Sequence, residues 1–140
     1  GAARRLTPAL CSARSFANAF LARPTGFGLQ SGEVLQPGES RYSPDGRFRL
    51  VYQTDGNLVL YIGATVVWHT STYGTSPGTL TMEGGGNLVL RDSGGVLLWQ
   101  SGTGGNSGAF LVVQSDGNLV VYHDIPIPST PKWASNTAIY

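Results

Sequence analysis

The sequence predicts an all-β domain built from three versions of one unit. Three observations carry that expectation. The segment GNLV occurs at Gly56, Gly86 and Gly117, so Asn57, Asn87 and Asn118 recur about thirty residues apart, a period found in repeat folds. Each copy follows an apolar, strand-like run (RFRLVYQ, TLTME, AFLVVQ) and precedes a tryptophan with a small hydroxyl residue (WHT at Trp68, WQS at Trp99, WAS at Trp133). Helix formers are scarce after residue 25, whereas Val, Leu, Thr and Tyr are plentiful and 20 glycines are available for turns.

In chain order, residues 1–28 stand outside the repeat. Leu6, Leu10, Phe16, Phe20 and Leu21 fall at roughly helical spacing in a stretch rich in Arg, Ala and Ser and free of acids. It reads either as a transit or processing remnant or as a short helix docked on the domain. Starting at Gly1 without Met, the chain is expected to be a processed or cut piece, frayed over residues 1–5. The domain proper runs over 29–140, with units at about 41–70, 71–101 and 102–137. Each unit reads as three or four short strands. Asp55-Gly56 and Asp116-Gly117 separate alternating runs, a hairpin signal for a type I′ turn, and Gly85-Gly86 can serve likewise in the second unit. SPDGR, Ser43 to Arg47, is another turn, and residues 62–64 and 92–95 turn the chain towards the tryptophan strands. The third unit inserts HDIPIPSTPKW, stiffened by Pro126, Pro128 and Pro131. That loop either walls the third motif or meets a partner, or is plain surface.

Strand periodicity sorts the side chains. Leu58 and Leu60 face one way, Asn57, Val59 and Tyr61 the other; Leu119 and Val121 oppose Asn118, Val120 and Tyr122 in the same manner. Three sheets with one apolar face each bury those faces together as a three-sided prism with approximate threefold symmetry. The three tryptophans belong to the core near its axis.

The bulk numbers exclude several classes. No apolar run reaches the roughly 18–20 residues of a membrane helix. Arg4, Arg5, Arg14 and Arg23 are the only charges in residues 1–32, and the remainder is mildly acidic, so no nucleic-acid partner is expected. Cys11 alone forms no intrachain disulfide, and one thiol with His69 and His123 shows no ligand spacing, so neither metal nor cofactor is expected. Asp55 and Asp116 lie in separate units, whereas a glycosidase needs two carboxyl groups about 5–10 Å apart. No nucleophile–base arrangement stands out, and the chain is not expected to be an enzyme. His69 reads as a surface residue of its strand, and His123 as a neighbour of the third motif.

QTDGNLVLY, Gln53 to Tyr61, returns as QSDGNLVVY, Gln114 to Tyr122, with EGGGNLVLR, Glu83 to Arg91, between them. Turn chemistry accounts for Asp and Asn beside Gly. It does not require Gln at the strand end or Tyr after the valine, and both disappear with the Asp in the middle copy while GNLVL survives. GNLVL is the fold, and Gln, Asp and Tyr form a site. Amide, carboxylate and phenol around a valine floor suit a small polyhydroxylated ligand.

These residues resemble the bulb-type, mannose-binding lectins related to snowdrop agglutinin, whose signature is Q-x-D-x-N-x-V-x-Y. Gln53, Asp55, Asn57, Val59 and Tyr61 match it fully, as do Gln114, Asp116, Asn118, Val120 and Tyr122. The likeness covers about residues 29–137, from LQSGEVL to WASNT. It implies the β-prism II fold of three four-stranded antiparallel sheets. It also implies α-mannose or mannose-rich glycans as ligand, with Asp and Asn on the axial O2, Gln on O3, Tyr on O4 and Val under the ring. It implies no cofactor, an extracellular location and a homodimer, with exchange of a C-terminal strand (residues 133–138) as one route. The middle copy carries Glu83, Gly85 and Arg91 beside the retained Asn87 and Val89, and is expected not to bind mannose. Glu83 and Arg91 are expected to pair across the hairpin. Plant members usually carry a disulfide in the first unit; its absence here weakens a plant origin. The alternative function is a lectin-fold scaffold for protein interaction, or a toxin-like protein, with little sugar binding.

Overall fold

The computed structural model describes residues 27–123 and 130–139. The Arg- and Ala-rich extension, with its helical spacing, and most of the proline loop lie outside the described residues. Twelve short strands form three four-stranded antiparallel sheets. The first joins β3 (Ser40–Tyr42), β4 (Phe48–Tyr52), β5 (Leu58–Ile62) and β6 (Thr65–His69) in that order. The second joins β2 (Val34–Leu35), β7 (Pro77–Met82), β8 (Leu88–Asp92) and β9 (Leu97–Gln100). The third joins β1 (Gly28–Leu29), β10 (Phe110–Val113), β11 (Leu119–His123) and β12 (Thr130–Ala134).

The repeat predicts three or four strands from each unit, and the first sheet takes all four from residues 40–69. The fourth strand of the second and third sheets comes instead from the chain's start: β1 pairs β10 through Gly28 and Val112, and β2 pairs β7 through Val34 and Thr81. Residues 28–42 therefore visit all three sheets in succession and tie them together. Pairings this distant in sequence leave no local pattern.

The core follows the strand alternation. Leu58 and Leu60, Leu88 and Leu90, and Leu119 and Val121 are fully buried, as are Leu29, Leu35, Phe48 and Met82. Trp68, Trp99 and Trp133 pair with Leu60, Leu90 and Val121 and so share their face. The indoles meet edge-to-face, with centroids 5.5, 5.5 and 5.2 Å apart, and join the three sheets at their last strands. As the repeat predicts, they pack on the core; each is half-buried rather than sealed.

One turn expectation is corrected. The loops at Asp55-Gly56 and Asp116-Gly117 are not two-residue type I′ turns, because neither aspartate has positive φ. Each is a three-residue loop closed by two bonds: Gly56 N–H donates to Gln53 O (3.0 Å) and Gln53 N–H to Asn57 O (2.9 Å). The glycine alone takes the left-handed conformation, at φ +95° for Gly56, +103° for Gly86 and +96° for Gly117. This frees the aspartate carboxylate to accept the N–H of Asn57 or Asn118, at 2.9 Å in both copies. An added Cβ on Gly56 would lie 2.4 Å from Thr75 O. Gly56→Ala is therefore expected to cost more than about 2 kcal/mol. Gly84→Ala, with ordinary φ and open space, should leave the melting temperature nearly unchanged. Thermal melts of the two variants check this pair.

Candidate functional site

On the outer face of the first sheet the row nearest the hairpin tip is Val51–Val59, and the next is Tyr42–Arg49–Tyr61–Val66. Val59 faces outward yet is 2% exposed, and Gln53 and Tyr61 meet across the hairpin. The contact between the Gln53 amide and the Tyr61 hydroxyl is 2.5 Å. A carboxylate only accepts. The amide orientation that satisfies both neighbours takes the Tyr61 proton on oxygen and donates from nitrogen to the Asp55 carboxylate, at 3.1 and 3.2 Å. A register shift between Leu60 and Tyr61 sets the tyrosine, and the same shift precedes Arg91 and Tyr122. Bulges of this kind re-aim a side chain beside a site.

Asn57 has two jobs. Its Oδ1 accepts from Thr72 N–H (3.1 Å) and Thr70 Oγ1 (3.3 Å). Its Nδ2 has no partner among the described residues. Thr72 Oγ1 in turn donates to Gly56 O at 2.6 Å. The clasp recurs: Thr103 N–H and Thr137 N–H donate to Asn87 and Asn118 Oδ1 (3.1 and 3.2 Å), and their hydroxyls to Gly86 and Gly117 O. These threonines were missed in the sequence although the signal is there: Thr stands four residues after every tryptophan. They explain why asparagine persists where Gln, Asp and Tyr do not.

The first motif opens onto a groove of about 610 Å³ lined by Arg49, Val51, Gln53, Asp55 and Tyr61 among others. In the third sheet the same elements bring together Gln114, Asp116, Asn118, Val120 and Tyr122, with the Gln114 amide bonded to the Tyr122 hydroxyl. Its hairpin is propped by the SPDGR turn. Arg47 Nη2 donates to Ser115 O (2.6 Å) and the Asp45 N–H to Ser115 Oγ (3.2 Å). Burial would raise the Asp45 carboxyl, but bonds from Arg47 and Ser43 outweigh it and hold the group below its ordinary range. The third face is also more apolar. Phe110 takes the place of Arg49 and lies 6.0 Å from the Tyr122 ring, beside Phe27, Val112 and Ala134. Gln114 and Tyr122 are 5% and 8% exposed, whereas Gln53 and Tyr61 are half-buried.

The middle copy keeps the geometry and changes the chemistry. Glu83 and Arg91 pair at 3.7 Å over Val89, in the place of the Gln–Tyr contact. Both are more than 40% exposed, so the pair adds at most about 1 kcal/mol. Asn87 Nδ2 donates to Gln100 Oε1 at 2.7 Å, a partner that sequence reasoning did not find. Gly85 offers no side chain at all. His69 is exposed and accepts the Ser71 N–H at Nδ1 (3.1 Å); His123 Nε2 lies 3.1 Å from Ser107 O. Among the described residues no group of three or more His, Cys, Asp or Glu is placed to hold a metal ion, and no helix is long and apolar enough to cross a membrane.

Comparison with known proteins places this arrangement. No protein-family model matches the chain. It is similar to the B-type lectin plumieribetin of Scorpaena plumieri, 36% identical over 67 residues, which is 48% of this chain and 58% of that protein. Its fold matches the Japanese Marasmius oreades lectin with a TM-score of 0.75 and 30% identity, over 83% of this chain and 95% of that one. It matches snowdrop (Galanthus nivalis) mannose-specific agglutinin, solved with methyl α-D-mannoside, with a TM-score of 0.65 and 37% identity, over 79% of this chain and 96% of that one. The chain belongs to the bulb-type lectin family. Its three sheets are the β-prism II arrangement of that family, and the three hairpins occupy the outer faces of this bulb-type prism. The chain spans 44 to 58% of the length of the curated relatives it matches.

Proposed function

We propose that the chain is a non-catalytic lectin that binds α-D-mannose or mannose-rich glycans at the first and third motifs, with the middle one degenerate. The observation that carries this is the Gln53–Asp55–Tyr61 cluster around Val59, built again at Gln114, Asp116, Tyr122 and Val120. Asp55 and Asp116 accept from sugar hydroxyls, the Asn57 and Asn118 Nδ2 groups donate, and Gln and Tyr complete the set. In the middle copy the ion pair and the Gln100 bond occupy the same groups. The relatives are named as mannose-specific or B-type lectins, which supports the ligand class. The same reading takes the chain as extracellular. It also takes it as a homodimer, with Val66, Val96 and Leu97, 50, 59 and 44% exposed on or beside the tryptophan strands, as the apolar surface available to a second copy. Light scattering that returned a monomer would remove the dimer.

A second reading, one working site in the first copy, is favoured by the burial of Gln114 and Tyr122. Calorimetric titration with a mannobiose separates the two. A stoichiometry of about two per chain is expected, and multivalent glycans then gain by avidity. A value of one selects the single-site reading. No heat and no shift in melting temperature sinks both, and leaves the interaction scaffold.

A further inference from the structure

We propose that the first groove recognises a hexose bearing an anionic substituent, with the Arg49 guanidinium holding the charge. The inference rests on the lectin reading and extends it to a ligand class. Arg49 lines the groove and stands directly across from Tyr61 on the neighbouring strand. Its Nε donates to Ser40 Oγ at 2.9 Å, which steadies the stem and leaves the fork of terminal nitrogens for a ligand.

Two contrasts single this arginine out. Arg47 and Arg91 pair with Asp45 and Glu83, at 2.7 and 3.7 Å, and Arg41 donates to the Gly28 and Ser40 carbonyls, at 3.1 and 3.0 Å, whereas Arg49 meets no carboxylate within ion-pair distance among the described residues and lines the groove. At the same register the other two sheets carry Thr79 and Phe110, so among the described residues this strand position is cationic in the first sheet and uncharged in the other two. The Asp55 carboxylate would repel an anionic group placed beside it, and the position of Arg49 avoids this. Gln53 lies four positions after Arg49, about 13 Å along the strand direction at about 3.3 Å per residue. A sugar ring seated in the groove, on the Gln53–Tyr61 pair, then has Asp55 at one end, facing its hydroxyls. The anionic group lies at the other end, clear of the aspartate. Phosphate, sulfate and carboxylate share this chemistry.

The test titrates the full chain with methyl α-D-mannoside, mannose 6-phosphate, mannose 6-sulfate and mannuronate, at low and at physiological salt. For the chain as it is, at least one anionic sugar is expected to bind about three- to tenfold tighter than the neutral one, and the preference shrinks as salt is added. The three anions tell which substituent is read. In Arg49→Met the ratio of anionic to neutral affinity falls to about one or below; in Arg49→Lys a salt-sensitive preference persists. Neutral mannoside that binds as well as every anionic form, or a preference that survives Arg49→Met, overturns this inference and leaves the lectin reading standing. No binding of any of the four sugars overturns both.

Discussion

Replacing Asp55 and Asp116 together by asparagine is expected to abolish mannoside binding while the domain stays folded. Each carboxylate plays two parts that the substitution separates. One oxygen accepts the N–H of Asn57 or Asn118 at 2.9 Å and so shapes the hairpin loop. An asparagine Oδ1 can take that bond over, and the loop glycines retain their positive φ. The stability change should stay below about 1 kcal/mol. The charge is lost. A hydrogen bond to a charged group contributes about 1.5–3 kcal/mol, so each site should weaken by roughly ten- to 150-fold. Sites this shallow then fall beneath detection. The checks are calorimetric titration and a thermal melt of the same sample. Unchanged affinity in the double variant would remove these residues from the site.

Trp99→Ala is expected to lower stability strongly, with both proposed sugar motifs chemically intact. Trp99 lies 5.5 Å from Trp68 and 5.2 Å from Trp133, so its removal breaks two of the three ring contacts that join the sheets. Large-to-small changes at aromatic core positions cost about 3–5 kcal/mol. The half-burial of Trp99 puts it at the lower end, about 3 kcal/mol, or a fall of about 10–15 °C in melting temperature. Trp99→Phe should recover part of this, because a smaller ring still meets its neighbours. A melt within a degree or two of the parent would show that the trio fills the axis without holding it.

Much of this was legible because it is local and repeated. Alternation at Leu58, Val59, Leu60 and Tyr61 sorts one strand into core and surface, and three copies state the rule three times. The loss of Gln, Asp and Tyr as a set at Glu83, Gly85 and Arg91 is what sets the proposed site apart from the scaffold. The turn type was misread because Asp-Gly suits both two- and three-residue loops. Only the bonds from Gly56 to Gln53 and from Gln53 to Asn57 decide between them.

The sequence by itself determined the threefold repeat, the inward faces of the strands and the residues that converge at each hairpin, since all of these depend on neighbours a few positions apart. Tertiary structure alone decided the rest. It drew strands from residues 28–35 into the second and third sheets. It set Thr72, Thr103 and Thr137 on the asparagines, put Gln100 on Asn87, and gave the first groove an arginine where the third has Phe110. These are contacts between strands and loops separated by a dozen residues or more. Their partners are chosen by packing and register, and a linear pattern carries no record of which strands will lie side by side.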